Sequence, residues 1–355
     1  MAFLPLRCVA RLSGDAGAGP GPSYFFVTEK GVVVNRRGRV SLFARNLTSE
    51  KWHHKFDGWG SVPIPASRSV FLGPIQGSIR EYALDTGDEL RRTAYAGSGT
   101  VKGIAEKVYL LAGGAGVDAV DLSGTFLWRH DAPVGHALAA QDRFIVSEDL
   151  ERTLVCLDAN RGQVVWRFIP PPMGGGDSAR RSQTMPMGFP SVTVSGGRLV
   201  AITMDFRVFV LSLQSGEVLL SSSVSATGVP ALTAESIFFI APHGYVEITR
   251  DSLTEVVRAD YRDEVAPLYG SHHLTINAAC VHDAAIVWTT MDGAVMAIER
   301  DKIDGRWKVW SDEVPDALMP LGIAPQAHDG HVYVAHRGPN PELLCYESVA
   351  RHRAH

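Results

Sequence analysis

The sequence predicts an all-β fold, a single eight-bladed β-propeller built of four-stranded antiparallel blades, and three observations point to it. A phrase recurs along the chain: LDTGDELRR from Leu84, DLSGTFLWRH from Asp121, LDANRGQVVWRF from Leu157 and LSLQSGEVLLSS from Leu211. Asp85, Asp121 and Asp158 lie 36 and 37 residues apart, and Gly87, Gly124 and Gly162 keep a similar interval. A repeat of that length marks a unit that buries its apolar face only against its neighbours. Second, each unit holds four short runs of β-branched and alternating apolar residues separated by Gly, Asp or Asn turns, clearest in GHALAAQ, RFIVSED, RTLVCLDA and QVVWRF around Gly162. Third, no segment longer than ten residues carries a 3.6-residue apolar period.

Taken in order, the template places blades near 24–56, 61–94, 98–131, 136–168, 189–224, 227–261 and 274–311. The eighth unit, LGIAPQAHDG, HVYVAHRG and ELLCYESV, has three strands only. Its fourth is expected from residues 3–12, where Leu4, Leu6, Cys8, Ala10 and Leu12 alternate with Pro5, Arg7, Val9 and Arg11. Joining the ends in this way covers the edges an open array would present. The chain is thus expected to form one domain over residues 1–355, with 170–188 inserted between blades 4 and 5.

That closure places Cys8 and Cys345 on adjacent strands, where a disulfide requires Cβ atoms about 4 Å apart. Cys156 and Cys280 fall in strands and are expected as reduced, buried thiols. Four cysteines in 355 residues are too few for a disulfide framework. The formal charge of −4 gives no case for nucleic acid, and no apolar run reaches the ~18 residues of a membrane span. The N-terminal MAFLPLRCVARLSG is broken by Pro5, Arg7 and Arg11 and makes a poor export signal. A cytoplasmic protein without membrane or nucleic-acid partners is the expectation.

The phrase L-D-x-x-x-G-x-x-x-W, complete from Leu157 to Trp166 and shortened from Asp121 to Trp128, resembles the repeat of the quinoprotein-like (PQQ-repeat) β-propeller superfamily. That superfamily includes pyrroloquinoline-quinone-dependent alcohol dehydrogenases and the outer-membrane assembly lipoprotein of Gram-negative bacteria. The resemblance implies that Trp52, Trp128 and Trp166 dock between blades, with Arg91 and Leu220 in that position elsewhere. It does not extend to the quinone: the adjacent cysteines against which the cofactor stacks in the dehydrogenases are missing from this sequence. No cofactor is expected.

In a propeller, the loops leading into the innermost strands and the turns between second and third strands share one face, and function concentrates on such loops. Three long segments are expected there: Pro170–Gly188, Tyr261–Leu274 and Trp52–Gly60. The first carries Arg180, Arg181 and Met185, suited to an adaptable contact with a partner. With Trp59, Arg36 and Arg207 they are the candidate partner- or ligand-binding residues. The leading expectation is a non-catalytic scaffold that binds a protein partner through this face. The alternative is an enzyme or small-molecule-binding protein at the channel mouth, with His53, His136, His272 and Asp263 as catalytic candidates. A divalent metal would then be held by His53, His272 and Asp57. No GxSxG, HExxH, CxxC or Walker sequence is present, and the enzyme question leans to no.

Overall fold

A computed structural model of the chain describes residues 6–13, 24–36, 38–56, 63–66, 68–95, 97, 99–105, 107–113, 116–132, 138–151, 153–171, 191–223, 229–241, 243–269, 276–282, 285–290, 294–300, 307, 309–312, 324–336 and 342–348. They form eight four-stranded antiparallel sheets, the blades of an eight-bladed β-propeller. The sheets fall at 24–55, 64–94, 100–131, 138–168, 191–223, 229–260, 276–312 and 326–348. In the last, the N-terminal strand Leu6–Ser13 pairs antiparallel with Glu342–Ser348 and supplies the outermost strand, as the alternation in the sequence predicts.

By internal contacts the chain divides into two compact units. One comprises Met1–Val70, Tyr82–Glu89 and Ala226–His355; the other comprises Phe71–Glu81 and Leu90–Ser225. In the second unit the innermost strands of blades 3, 4 and 5 are neighbours. In the first, those of blades 6, 7, 8, 1 and 2 follow one another. Apolar clusters fill the spaces between successive sheets. Val146, Cys156, Trp166, Leu199, Phe209 and Leu213 join blades 4 and 5, and Tyr245, Tyr261, Trp288, Met296 and Trp307 join blades 6 and 7. In the first unit the Gln326 side chain adds a rung between innermost strands: it accepts from Val27 N–H at 3.0 Å and donates to the Phe25 carbonyl at 3.3 Å.

The repeat phrase has a specific physical content. The Trp52 indole donates to the Leu84 carbonyl at 3.0 Å, Trp128 to Ala159 at 2.8 Å and Trp166 to Leu213 at 2.8 Å, each in the turn of the following blade. The glycine of that turn exists for the same contact. Gly162 and Gly216 have φ of +64° and +73°, and a Cβ on either would lie 2.6 Å from the indole of Trp128 or Trp166. Any side chain there would collide with the ring and strain the backbone. Burying an indole removes ~200 Å² from water and contributes about 5 kcal/mol before entropy. The single hydrogen bond adds about 1 kcal/mol. Apolar area therefore dominates the docking, and the bond fixes its orientation.

A β-bulge precedes each docking residue. In blades 1, 3, 4, 5 and 6 the pairing of third and outer strands slips by one, leaving Lys51, Leu127, Val165, Leu219 and Val256 as the extra residue. The N-terminal strand has the same slip at Val9. The bulge exposes two successive side chains and turns the next one inward.

Two sequence expectations need correction. Asp85 is not the structural counterpart of Asp121 and Asp158. The Gly87 N–H bonds to Ala83 O where Gly162 N–H bonds to Asp158 O, so Ala83 holds that position and Asp85 instead pairs with Lys30 at 2.9 Å. The glycine spacing was the true register. The segment after Tyr261, expected as a loop, contains the helix Arg262–Tyr269, whose first N–H is capped by Asp260 Oδ1 at 3.1 Å. Its eight residues are too few to show a period in sequence.

All four cysteines are free thiols. Cys345 packs in the cluster between blades 8 and 1, whereas Cys8 packs against the one between blades 7 and 8. They therefore face opposite sides of their sheet, which rules out the geometry of a disulfide. Burial pushes the thiols of Cys156, Cys280 and Cys345 up to about 12, so they stay protonated and inert near neutral pH.

Candidate functional site

The turns between second and third strands in blades 4 and 5, both in the second unit, are built by short polar side chains that satisfy their own backbone. In blade 4, Asp149 Oδ1 accepts the N–H groups of Glu151 and Thr153 at 2.9 and 3.0 Å. Its Oδ2 accepts Arg167 Nη1 from the outer strand at 2.8 Å. In blade 5, Thr203 Oγ1 accepts the Arg207 N–H at 3.1 Å and donates to Asp205. Asp205 in turn accepts Arg207 Nε at 2.8 Å, with the two side chains 8% and 11% exposed. The guanidinium lies 5.5 Å above the Phe209 ring, and its Nη1 donates to the Pro171 carbonyl.

These bonds have a consequence for the apolar residues between them. Next to Asp149 and Asp205, which the turns hold, Leu150 and Met204 project to solvent, 61% and 62% exposed, and Ile169 at the end of the outer strand is 71% exposed. The Arg167–Asp149 pair holds the strand leading to Ile169 beside the turn that carries Leu150. The Arg207–Pro171 bond holds the chain just past Ile169 beside the turn that carries Met204. Three large apolar side chains are thereby fixed on one stretch of surface by rigid elements. Sequence reasoning passed over them; the available signal was Leu150 in the polar turn SEDLERT and Met204 between the polar residues of TMDFR.

The residues expected from sequence are distributed differently. Arg207 is a nearly buried strut that anchors the start of the 170–188 segment, and its charge is spent on Asp205. Arg36, at the end of a second strand in blade 1, donates to Leu12 O at 3.4 Å and ties down the N-terminal strand. The placement of Trp52–Gly60 as a loop is corrected in its first part: Glu50–Lys55 is the outer strand of blade 1. His53 is exposed on it, 3.4 Å from Glu50, and does not line an innermost strand. Its neighbour His54 instead stacks on Tyr82 at 4.5 Å and bonds to Gly87 O at 2.6 Å. Asp263 is exposed in the first turn of the Arg262–Tyr269 helix. Asp57, Trp59, His136, Arg180, Arg181, Met185 and His272 lie outside the described residues. Among the described residues no three His, Cys, Asp or Glu side chains are grouped to hold a metal ion.

Comparison with known proteins agrees with this architecture. Residues 113–236, about a third of the chain, match the family described as outer membrane protein assembly factor BamB. The crystal structure of BamB from Moraxella catarrhalis superposes with a TM-score of 0.64 at 14% identity, covering 96% of this chain and 99% of that one. The chain is a β-propeller, and residues 113–236 carry a repeat similar to that of the quinoprotein-like (PQQ-repeat) superfamily. A computationally designed protein, Ika8, is similar to the same degree, with a TM-score of 0.63 at 14% identity over 94% of this chain and 98% of its own. At such identities the likeness concerns the fold alone. No curated protein matches significantly. The matched segment 113–236 contains Leu150, Ile169 and Met204.

Proposed function

We propose that this protein is a non-catalytic interaction scaffold that recruits a protein partner through the surface of blades 4 and 5 carrying Leu150, Ile169 and Met204. The observation that carries the reading is the exposure of these three side chains beside turns braced by the Asp149–Arg167 and Asp205–Arg207 ion pairs. Scattered exposed apolar residues need no explanation, but a group held in place by ion pairs is the pattern of a contact site. Large apolar anchors of this kind supply most of the energy of a protein interface, while the ion pairs beneath keep them ordered before binding. The family name attached to residues 113–236, an assembly factor, supports a role in bringing proteins together.

The test is affinity purification from the native host at near-physiological salt, followed by mass spectrometry, with the Leu150→Asp, Ile169→Asp and Met204→Asp variants in parallel. A stoichiometric partner whose recovery falls at least about tenfold in each variant, at unchanged melting temperature, is the expected result. Undiminished recovery in the triple variant would remove the surface from consideration.

A further inference from the structure

A second apolar surface lies elsewhere on the same unit, at the start of the outer strands. The bulges of blades 3, 4 and 5 each expose two successive apolar residues: Phe126 and Leu127, Val164 and Val165, Val218 and Leu219, between 38% and 57% exposed. In blades 1, 2 and 6 the same two positions are Glu50–Lys51, Glu89–Leu90 and Glu255–Val256, with Leu90 58% and Val256 55% exposed, so among these six blades both positions are apolar only in blades 3, 4 and 5. Indole docking makes them a band. Trp128 rests on Gly162, two residues before Val164, and Trp166 rests on Gly216, two residues before Val218. The outer strands have a pairing partner on one side only and present an open edge alongside these side chains.

Charge identifies what covers the band. Most ionic groups along it are already engaged: Asp121 by Ser123 and Thr125 N–H, Asp158 by Asn160 and Arg161 N–H, Arg129 by Asp118 and Asp131, and Arg167 by Asp149. Among the described residues, the exposed side chains of Arg161 and Glu217 have no ionic partner. Arg161 stands in the turn beside Trp128, between the first and second apolar pairs, and Glu217 immediately precedes the third. A two-fold axis through the blade 4 pair would set Phe126–Leu127 of one molecule on Val218–Leu219 of another and bring Arg161 to Glu217, twice. We infer that this band is an isologous contact between two copies of this chain. Both unmatched charges are then neutralised by the symmetry that covers the apolar pairs. Six half-exposed apolar side chains make a patch on the order of a few hundred Å², less than the roughly 800 Å² per partner of a standard stable interface, so the dimer is weak and reversible.

Sedimentation velocity of the purified full chain tests this across about 1–300 µM, the range in which a weak dimer forms and dissociates. A monomer–dimer equilibrium is expected, abolished by Val165→Asp at unchanged melting temperature. Arg161→Glu and Glu217→Arg should each weaken it about tenfold or more, and the two together should restore it. A monomer throughout that range, a dimer indifferent to Val165→Asp, or a double variant that fails to recover would each overturn the inference. So would a monomeric protein in which Val165→Asp abolishes binding of a different protein, since the band would then belong to that partner.

Discussion

Within the second unit, the junction from blade 4 to blade 5 and the junction from blade 2 to blade 3 solve one problem in two ways. At the first, the Trp166 indole fills the space over Gly216 and donates to the Leu213 carbonyl. At the second, Arg91 stands where the indole would be and reaches back to Glu81 at 3.7 Å. The buried hydroxyl of Thr93, two residues on, donates to the Leu122 carbonyl at 2.8 Å, and the turn closes down until Gly124 has the Ala94 carbonyl 2.3 Å from where a Cβ would lie. Leu122 and Leu213 occupy the same place in their turns. The first unit follows the same rule: Tyr245 donates to Arg300 O at 3.0 Å between blades 6 and 7, and Tyr333 to Arg45 O at 2.8 Å between blades 8 and 1. What these junctions share is a turn carbonyl that receives a hydrogen bond from the preceding blade; the apolar volume delivered with it varies. A buried carbonyl left without a donor costs about 1–3 kcal/mol, whereas lost apolar area can be regained by closer packing.

Substitutions can separate the two contributions. Trp166→Ala removes both and should cost about 3–5 kcal/mol in chemical denaturation, the largest effect expected at a junction. A loss under about 1 kcal/mol would mean that blade 5 collapses onto blade 4 as blade 3 does onto blade 2. Gly216→Ala keeps the indole but drives a methyl into it, for about 2–3 kcal/mol, while Gly196→Ala, also at positive φ but with nothing within 4 Å, should cost only about 1 kcal/mol. Equal losses would assign the glycine to backbone conformation alone. Thr93→Val keeps volume and deletes the donor, so about 1–2 kcal/mol should be lost at the junction that never had an indole. No loss there would show that the carbonyl can be satisfied by water, and the shared rule would fail.

How much of this was legible follows from which contacts are local. The strand pattern and the glycine interval gave eight blades with boundaries within a few residues, and the alternation from Leu4 to Leu12 gave the closing strand, because strand periodicity and turn chemistry are properties of neighbouring residues. Trp52, Trp128 and Trp166 were legible because the docking residue there recurs at a fixed offset from a turn. Tyr245 and Tyr333 were not. They lie on a third and a second strand, far in sequence from the carbonyls they reach, and nothing local distinguishes them from other strand tyrosines. The same limit explains the candidate site. Arg207 reads as a free cation in sequence, yet it is neutralised by Asp205 two residues before it, and Leu150, Ile169 and Met204 become a group only through ion pairs and a bond to Pro171.

By itself, then, the sequence determined the repeat, the number of blades and the way the chain ends are joined, since each follows from spacing along one strand or turn. The tertiary structure decided which donors serve which carbonyls, which arginines are spent on internal pairs, and which apolar side chains are left facing water. Those outcomes depend on distances between residues from different strands, and the one-dimensional pattern leaves such distances open until the blades are packed.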